Sequence, residues 1–121
     1  MSKLIGGTTG ATKSPILKPI PNSVYICGKI TGDSGYLEKF FAAECELRRR
    51  GFKVMNPARL PEGFEHHQYM RICFPMIDAC EALCLLPDYD TSNGGSTEVG
   101  YAGAKGKRVY DYETLMAVSP I

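Results

Sequence analysis

Residues 82–87 read ALCLLP and residues 88–99 read DYDTSNGGSTEV, with GYAGAKGKRVY running on behind them. The first run is short, apolar and closed by a proline, the pattern of a buried strand. The second is a polar, glycine-bearing turn, and the small residues after it predict a helix from about Gly95 or Ser96. A strand whose carboxyl end feeds a helix N-terminus is the building unit of an open parallel sheet, and ligands sit at that junction. Glu98 falls about one helical turn inside the expected helix. A glutamate there is favoured by the helix dipole and can act simply as a cap. Ser92, Gly94 and Gly95 before it, and Gly100 and Ala102 after it, are small enough to admit a close ligand.

Outward from this stretch the same alternation repeats. Ser23–Cys27 is a β-branched and aromatic run that predicts a first strand, ending in the glycine-bracketed loop Gly28–Gly32. A helix is expected over Tyr36–Arg50, with Leu37, Phe40, Phe41, Ala43, Cys45 and Leu47 as its apolar stripe and Gly51 as its stop. Phe52–Met55 reads as a second strand, and 58–66 as a loop. His67–Ala79 reads as a second helix that Pro75 should kink or split. After strand Ala82–Leu86 and helix Ser96–Lys105 come a fourth strand, Lys107–Tyr110, and a short helix over Tyr112–Val118. Strands alternating with helices predict an α/β, three-layer Rossmann-like or flavodoxin-like fold. Its four- to five-stranded, mainly parallel sheet is flanked by helices through right-handed crossovers.

At 121 residues the chain suits one domain with a core that needs neither disulfide nor metal. Residues 1–22, rich in glycine, threonine and proline, read as an extended or disordered N-terminal arm ahead of a domain over 23–121. A net charge of +1 offers no electrostatic footing for nucleic acid or a membrane surface. No run approaches the roughly 20 apolar residues of a membrane span, and the N-terminus lacks a signal-peptide layout. The five cysteines show no double C-x-x-C spacing, so they read as buried reduced thiols, which favours the cytoplasm. His66 and His67 are adjacent and face apart, a poor metal pair, and no metal or cofactor is expected.

In a parallel sheet Tyr25 and the Gly28–Gly32 loop should approach the 92–98 turn, whose backbone amides suit an anion. The loop has neither the P-loop ending nor a dinucleotide fingerprint. Gly28, Lys29, Ile30, Asp88, Ser92, Asn93, Gly94 and Gly95 are the expected binding residues, and Tyr69 is a candidate wall for a flat ligand.

The pattern Ser92-x-Gly94-x-x-x-Glu98-x-Gly100-x-Ala102, followed by Gly106-Lys107, resembles the signature turn of the nucleoside 2-deoxyribosyltransferase superfamily, which includes the 2′-deoxynucleoside 5′-phosphate N-hydrolases. Tyr25-x-x-Gly28, Met55-Asn56-Pro57 and the Tyr69-Met70 helix ahead of Cys80-Glu81-Ala82 are similar as well. The resemblance covers about residues 24–110 and is strongest to a small branch found in bacteria, prophages and phages. It implies N-glycosidic hydrolysis or deoxyribosyl transfer on a (deoxy)nucleoside or its 5′-monophosphate. Glu98 would be the nucleophile at the sugar C1′, by the carboxylate logic of retaining glycosidases. Tyr25 would orient that carboxylate or the sugar, and Ser92 with the amides of Asn93–Gly95 would hold a 5′-phosphate or 5′-hydroxyl. The resemblance also implies a homodimer or higher homo-oligomer, with the arm as a swapped contact. One position departs from the pattern. The family's base-handling aspartate falls on Cys73, eight residues before Glu81. Asp78, on the same helix, is the expected catalytic stand-in, with Asp88 or Asp90 as further acids. The substitution at Cys73 also favours an alternative, a non-catalytic protein that senses or sequesters a nucleotide.

Overall fold

The computed structural model describes residues 19–91 and 93–120, with nothing of the Asn93 side chain; the expected arm up to residue 18 and Ser92 lie outside the described residues. Along the chain come β1 (Ser23–Cys27), α1 (Tyr36–Arg49), β2 (Lys53–Met55), a 3-10 turn at Pro57–Arg59 and α2 (His66–Asp78). They are followed by β3 (Ala82–Leu85), a second 3-10 turn at Tyr89–Thr91, α3 (Asn93–Ala104), β4 (Arg108–Asp111) and α4 (Tyr112–Met116). The four strands form one sheet in the order β2-β1-β3-β4, and every neighbouring pair is parallel. The sheet is thus fully parallel, the stricter form of the expected architecture.

Side chains alternate across the sheet, and each face builds its own core. Val24, Ile26, Ala82, Cys84 and Tyr110 point to the layer holding Phe40 and Leu47 of α1 and Leu115 of α4. Tyr25, Cys27, Leu83, Leu85 and Val109 point the other way, against Cys73 and Ile77 of α2 and Val99 and Ala102 of α3. Covered on both faces, β1 and β3 are apolar nearly throughout, as central strands of a parallel sheet must be. The chain steps from β1 to β2 through α1 on one face. It then reverses direction, passing to β3 and β4 through α2 and α3 on the other face. Crossovers of a single hand require that change of face.

Two expectations need correction. Helix α2 runs unbroken through Pro75, so the proline does not split it. Pro75 is exposed and removes one main-chain donor, while Cys73 and Ile77, buried on the same side, hold both halves against the sheet. Helix α3 begins at Asn93, ahead of the expected start, because the second 3-10 turn runs almost directly into it. Glu98 is therefore its sixth residue and lies too deep to cap it.

The loop leaving β2 is fixed to α1 by a buried carboxylate. Glu44, 3% exposed, accepts from Arg59 Nε at 3.0 Å and Nη2 at 2.9 Å, from Arg48 Nε at 2.7 Å, and from Asn56 Nδ2 at 2.9 Å. Asn56 in turn accepts from the Ala58 amide at 2.8 Å, so one network shapes residues 56–59. The Arg59 bonds are the largest influence on Glu44. With Asn56 and Arg48 they overcome the opposing effect of burial and hold its carboxyl at about 2. A carboxyl depressed from its ordinary 4.5 lends stability that is complete above that value and disappears as pH falls toward 2. The contribution at neutral pH is about 2–3 kcal/mol, reduced from the full shift because both arginines are largely exposed. Urea unfolding should find Glu44→Gln less stable than the wild type by about that amount at pH 7, with the two curves converging near pH 2.

Candidate functional site

Since all four strands are parallel, their carboxyl ends share one edge. The direction of chain travel reverses between β1 and β3, and loops leaving a sheet at such a point diverge to leave a crevice. A cavity of about 280 Å³ lies there. Gly28, Ile30, Thr31 and Tyr36 bound it on the β1 side, and Pro57, Leu60 and Glu62 on the β2 side. Another wall is α2, through His66, Tyr69, Met70 and Cys73. Gly94, Gly95 and Glu98 of α3 complete it.

Glu98 is 6% exposed and stands among neutral donors. The Tyr25 hydroxyl, itself fully buried, donates to Glu98 Oε2 at 2.5 Å, the length of a charge-assisted bond. The Cys27 thiol has one proton and two acceptors, the Gly95 carbonyl at 3.6 Å and the Glu98 carboxylate, of which the charged group is the stronger. Cys73 is the third donor. Burial is the largest influence and lifts the Glu98 carboxyl to about 7, against the opposing bonds from Tyr25, Cys27 and Cys73. Burial likewise raises the Tyr25 hydroxyl and the Cys27 thiol well above their ordinary ranges, and the Glu98 charge adds to both. Cys73 reaches about 12, mainly through burial. These three groups therefore keep their protons, and of the four it is Glu98 that changes charge near neutrality.

The position of Glu98 depends on one close approach. A Cβ on Gly95 would lie 2.3 Å from the Tyr89 carbonyl oxygen, so only glycine lets α3 pack against the preceding turn. At Gly28 a Cβ would meet Leu86 Cδ1 at 2.9 Å and Phe40 Cζ at 3.2 Å. Gly100 has no such constraint, because a Cβ there would meet open space.

The residues expected from sequence divide by where the fold places them. Gly28, Ile30, Tyr69, Gly94, Gly95 and Glu98 line the cavity together. Lys29 and Asp88 do not line it, but they brace its rim. Asp88 accepts from the Lys29 amide at 3.1 Å and from the Lys39 ammonium, which also bonds the Lys29 carbonyl at 2.8 Å and Asp33 at 2.6 Å. Lys39 thereby ties the loops leaving β1 and β3 to one cation. Tyr25 lies behind Glu98 as a positioning residue, out of the cavity. Asp78 is not at the cavity. It is the last residue of α2, where its carboxylate accepts from the Tyr101 hydroxyl at 2.7 and 2.9 Å beside the Phe74–Tyr101 stack. Five residues of helix separate it from Cys73, which does face Glu98, so the stand-in acid falls at the wrong end. Asn93 opens α3, and Ser92 lies outside the described residues.

Several lining residues were not singled out from sequence: Thr31, Tyr36, Leu60, Glu62 and, as a wall residue, His66. The available signal was topological. In a parallel sheet the loop leaving β2 must reach the same edge as the loops leaving β1 and β3. Tyr69 fastens that loop by donating to the Pro61 carbonyl at 2.7 Å and accepting from the Phe64 amide at 3.2 Å.

Residues 22–111 match the family model described as "Domain of unknown function (DUF4406)", a span that contains every residue lining the cavity. No curated protein matches the chain.

The raised Glu98 carboxyl has a consequence for stability. A group whose folded value lies above its ordinary 4.5 supports the fold below that value and loses the contribution as pH rises through about 7. Glu98→Gln, which stays neutral, should match the wild type at pH 5 and exceed it by about 2–3 kcal/mol at pH 8. Equal stabilities at both pH values, measured by urea unfolding, would contradict the desolvated carboxylate.

Proposed function

The chain belongs to the DUF4406 family, and from the pocket within the matched segment we propose that it cleaves N-glycosidic bonds, as a hydrolase or deoxyribosyltransferase acting on a (deoxy)nucleoside or its 5′-monophosphate. The observation that carries this reading is the buried Glu98 carboxylate, held by Tyr25 and opening onto a cavity of small-molecule size. One Glu98 oxygen attacks C1′, and the C1′–N bond breaks with its electron pair going to the base. Water, or the nitrogen of a second base, then attacks C1′ and releases Glu98.

The electrostatics favour this use of the residue. Glu98 has neutral donors around it and little water, so the positive charge developing on the sugar is the counter-charge it lacks. Such an interaction is far stronger in a dry site than in solution. Tyr36, Tyr69, Ile30 and Leu60 give the cavity flat and apolar walls that suit a base and a sugar ring. The amides opening α3 suit a 5′-hydroxyl or 5′-phosphate. The Cys73 thiol at about 12 is a poor acid and favours a second reading, a protein that binds the nucleotide without cleaving it.

We further propose self-association in a reducing, cytoplasmic setting. Leu37, Phe41 and Phe64 are large apolar side chains exposed near the pocket edge, and all five cysteines are free thiols.

Incubation with each deoxynucleoside and its 5′-monophosphate, followed by chromatography, should show released base. The rate should rise with pH as Glu98 ionises near 7. Glu98→Ala should lose about 1,000-fold or more. Saturable binding with no base release would establish the binder, and release undiminished in Glu98→Ala would remove Glu98 from its role. Light scattering should give the mass of at least two chains.

A further inference from the structure

The cavity holds two polar side chains that Glu98 chemistry leaves unused. Glu62, on the loop leaving β2, and His66, the first residue of α2, both line it. Neither side chain has a hydrogen-bond or ion-pair partner among the described residues. The cap at this helix start is made by its neighbours, with Glu65 as N-cap and Gln68 Oε1 accepting from the Glu65 amide at 2.8 Å. His66 is therefore not consumed by the helix it begins. Cys73, further along α2 and beside Glu98 of α3, keeps its proton to about 12 and cannot supply one to a departing base. Glu62 adds negative charge to the rim, and its charge contributes, after burial, to the raised hydroxyl of Tyr36 opposite. A negative rim repels a phosphate, which leaves the amides opening α3 as the phosphate end of the cavity.

We infer that the Glu62–His66 rim is the base-handling end of the site, with His66 as its proton donor and acceptor. This rests on the glycosidase reading above. As Glu98 bonds to C1′, the C1′–N electron pair moves to the base, and a ring nitrogen of the base takes the proton of the His66 imidazolium. The products of that step are glycosyl-Glu98, neutral base and neutral imidazole. Water then enters from the vacated face and gives its proton to His66, its oxygen bonds C1′, and Glu98 departs as a carboxylate. One group thus serves as acid and then as base on the same face of the sugar, as retention demands.

A leaving group that needs no proton separates His66 from Glu98. First-turnover release is measured on the four deoxynucleosides and their 5′-monophosphates, and on 4-nitrophenyl 2-deoxyriboside and its 5′-monophosphate, whose leaving group departs as a phenolate. His66→Asn should slow base release from deoxynucleosides by about 100-fold or more, and the nitrophenolate burst by less than about threefold. Glu98→Ala should lose both. Equal losses on the two substrate types, or none on either, overturn the His66 assignment. So does a wild type that cleaves only the nitrophenyl glycoside, an outcome that leaves the Glu98 reading standing. A wild type that cleaves neither defeats the glycosidase reading and this one with it. His66 is exposed, so the variant should melt within about 2 °C of the wild type. If it does not, His66→Gln supplies the same comparison.

Discussion

The hydrogen bond from Tyr25 to Glu98 joins β1 to α3 across the point where the chain reverses direction. It links residues 73 apart in sequence, and only adjacency of β1 and β3 brings them into contact. Tyr25 pairs with Leu83 in the sheet and points into the layer between α2 and α3, so its hydroxyl reaches the carboxylate from below. The other buried side chains of that cluster, among the described residues, are apolar or thiols. The carboxylate is consequently stabilised by protons it does not own, and the fold is less stable than it would be with a neutral residue there. That tension between stability and a charged site is common where activity requires a desolvated group.

The chain contains two buried glutamates of nearly equal exposure and opposite character. Glu44 has two guanidinium groups and an amide, and its carboxyl falls to about 2. Glu98 has a phenol and two thiols, and its carboxyl rises to about 7. Burial alone therefore predicts neither; the charge of the neighbours decides. The first glutamate fixes the wall formed by residues 56–59, and the second faces the space which that wall encloses.

The strands were legible because each is a short run rich in β-branched, aromatic or other apolar residues near a glycine or proline, and their alternation with helices required a parallel sheet. Tyr25, Gly28, Gly95 and Glu98 were legible because they flank the ends of the two strands that such a sheet makes neighbours. The start of α3 was misjudged because glycines 94 and 95 argue locally for a turn, whereas Gly95 serves a contact with Tyr89 that sequence spacing does not display. Asp78 was chosen for its charge and its helix, but helical rise carries it to the far end of α2 from Cys73. Tyr36, Leu60, Glu62 and His66 come from three separate segments, and only the folded edge of the sheet collects them.

The contact between Gly95 and the Tyr89 carbonyl also fixes one side of the cavity. Helix α3 abuts backbone at its start and cannot slide toward the 3-10 turn, while Lys39 pins the loops leaving β1 and β3 to each other. These contacts brace α3 and the loops leaving β1 and β3. The remaining side, residues 61–66, is exposed and is fastened near its middle by the Tyr69 hydroxyl. Loss of the Tyr69 hydroxyl would free the loop leaving β2 from the helix that follows it, and so loosen this one side of the crevice.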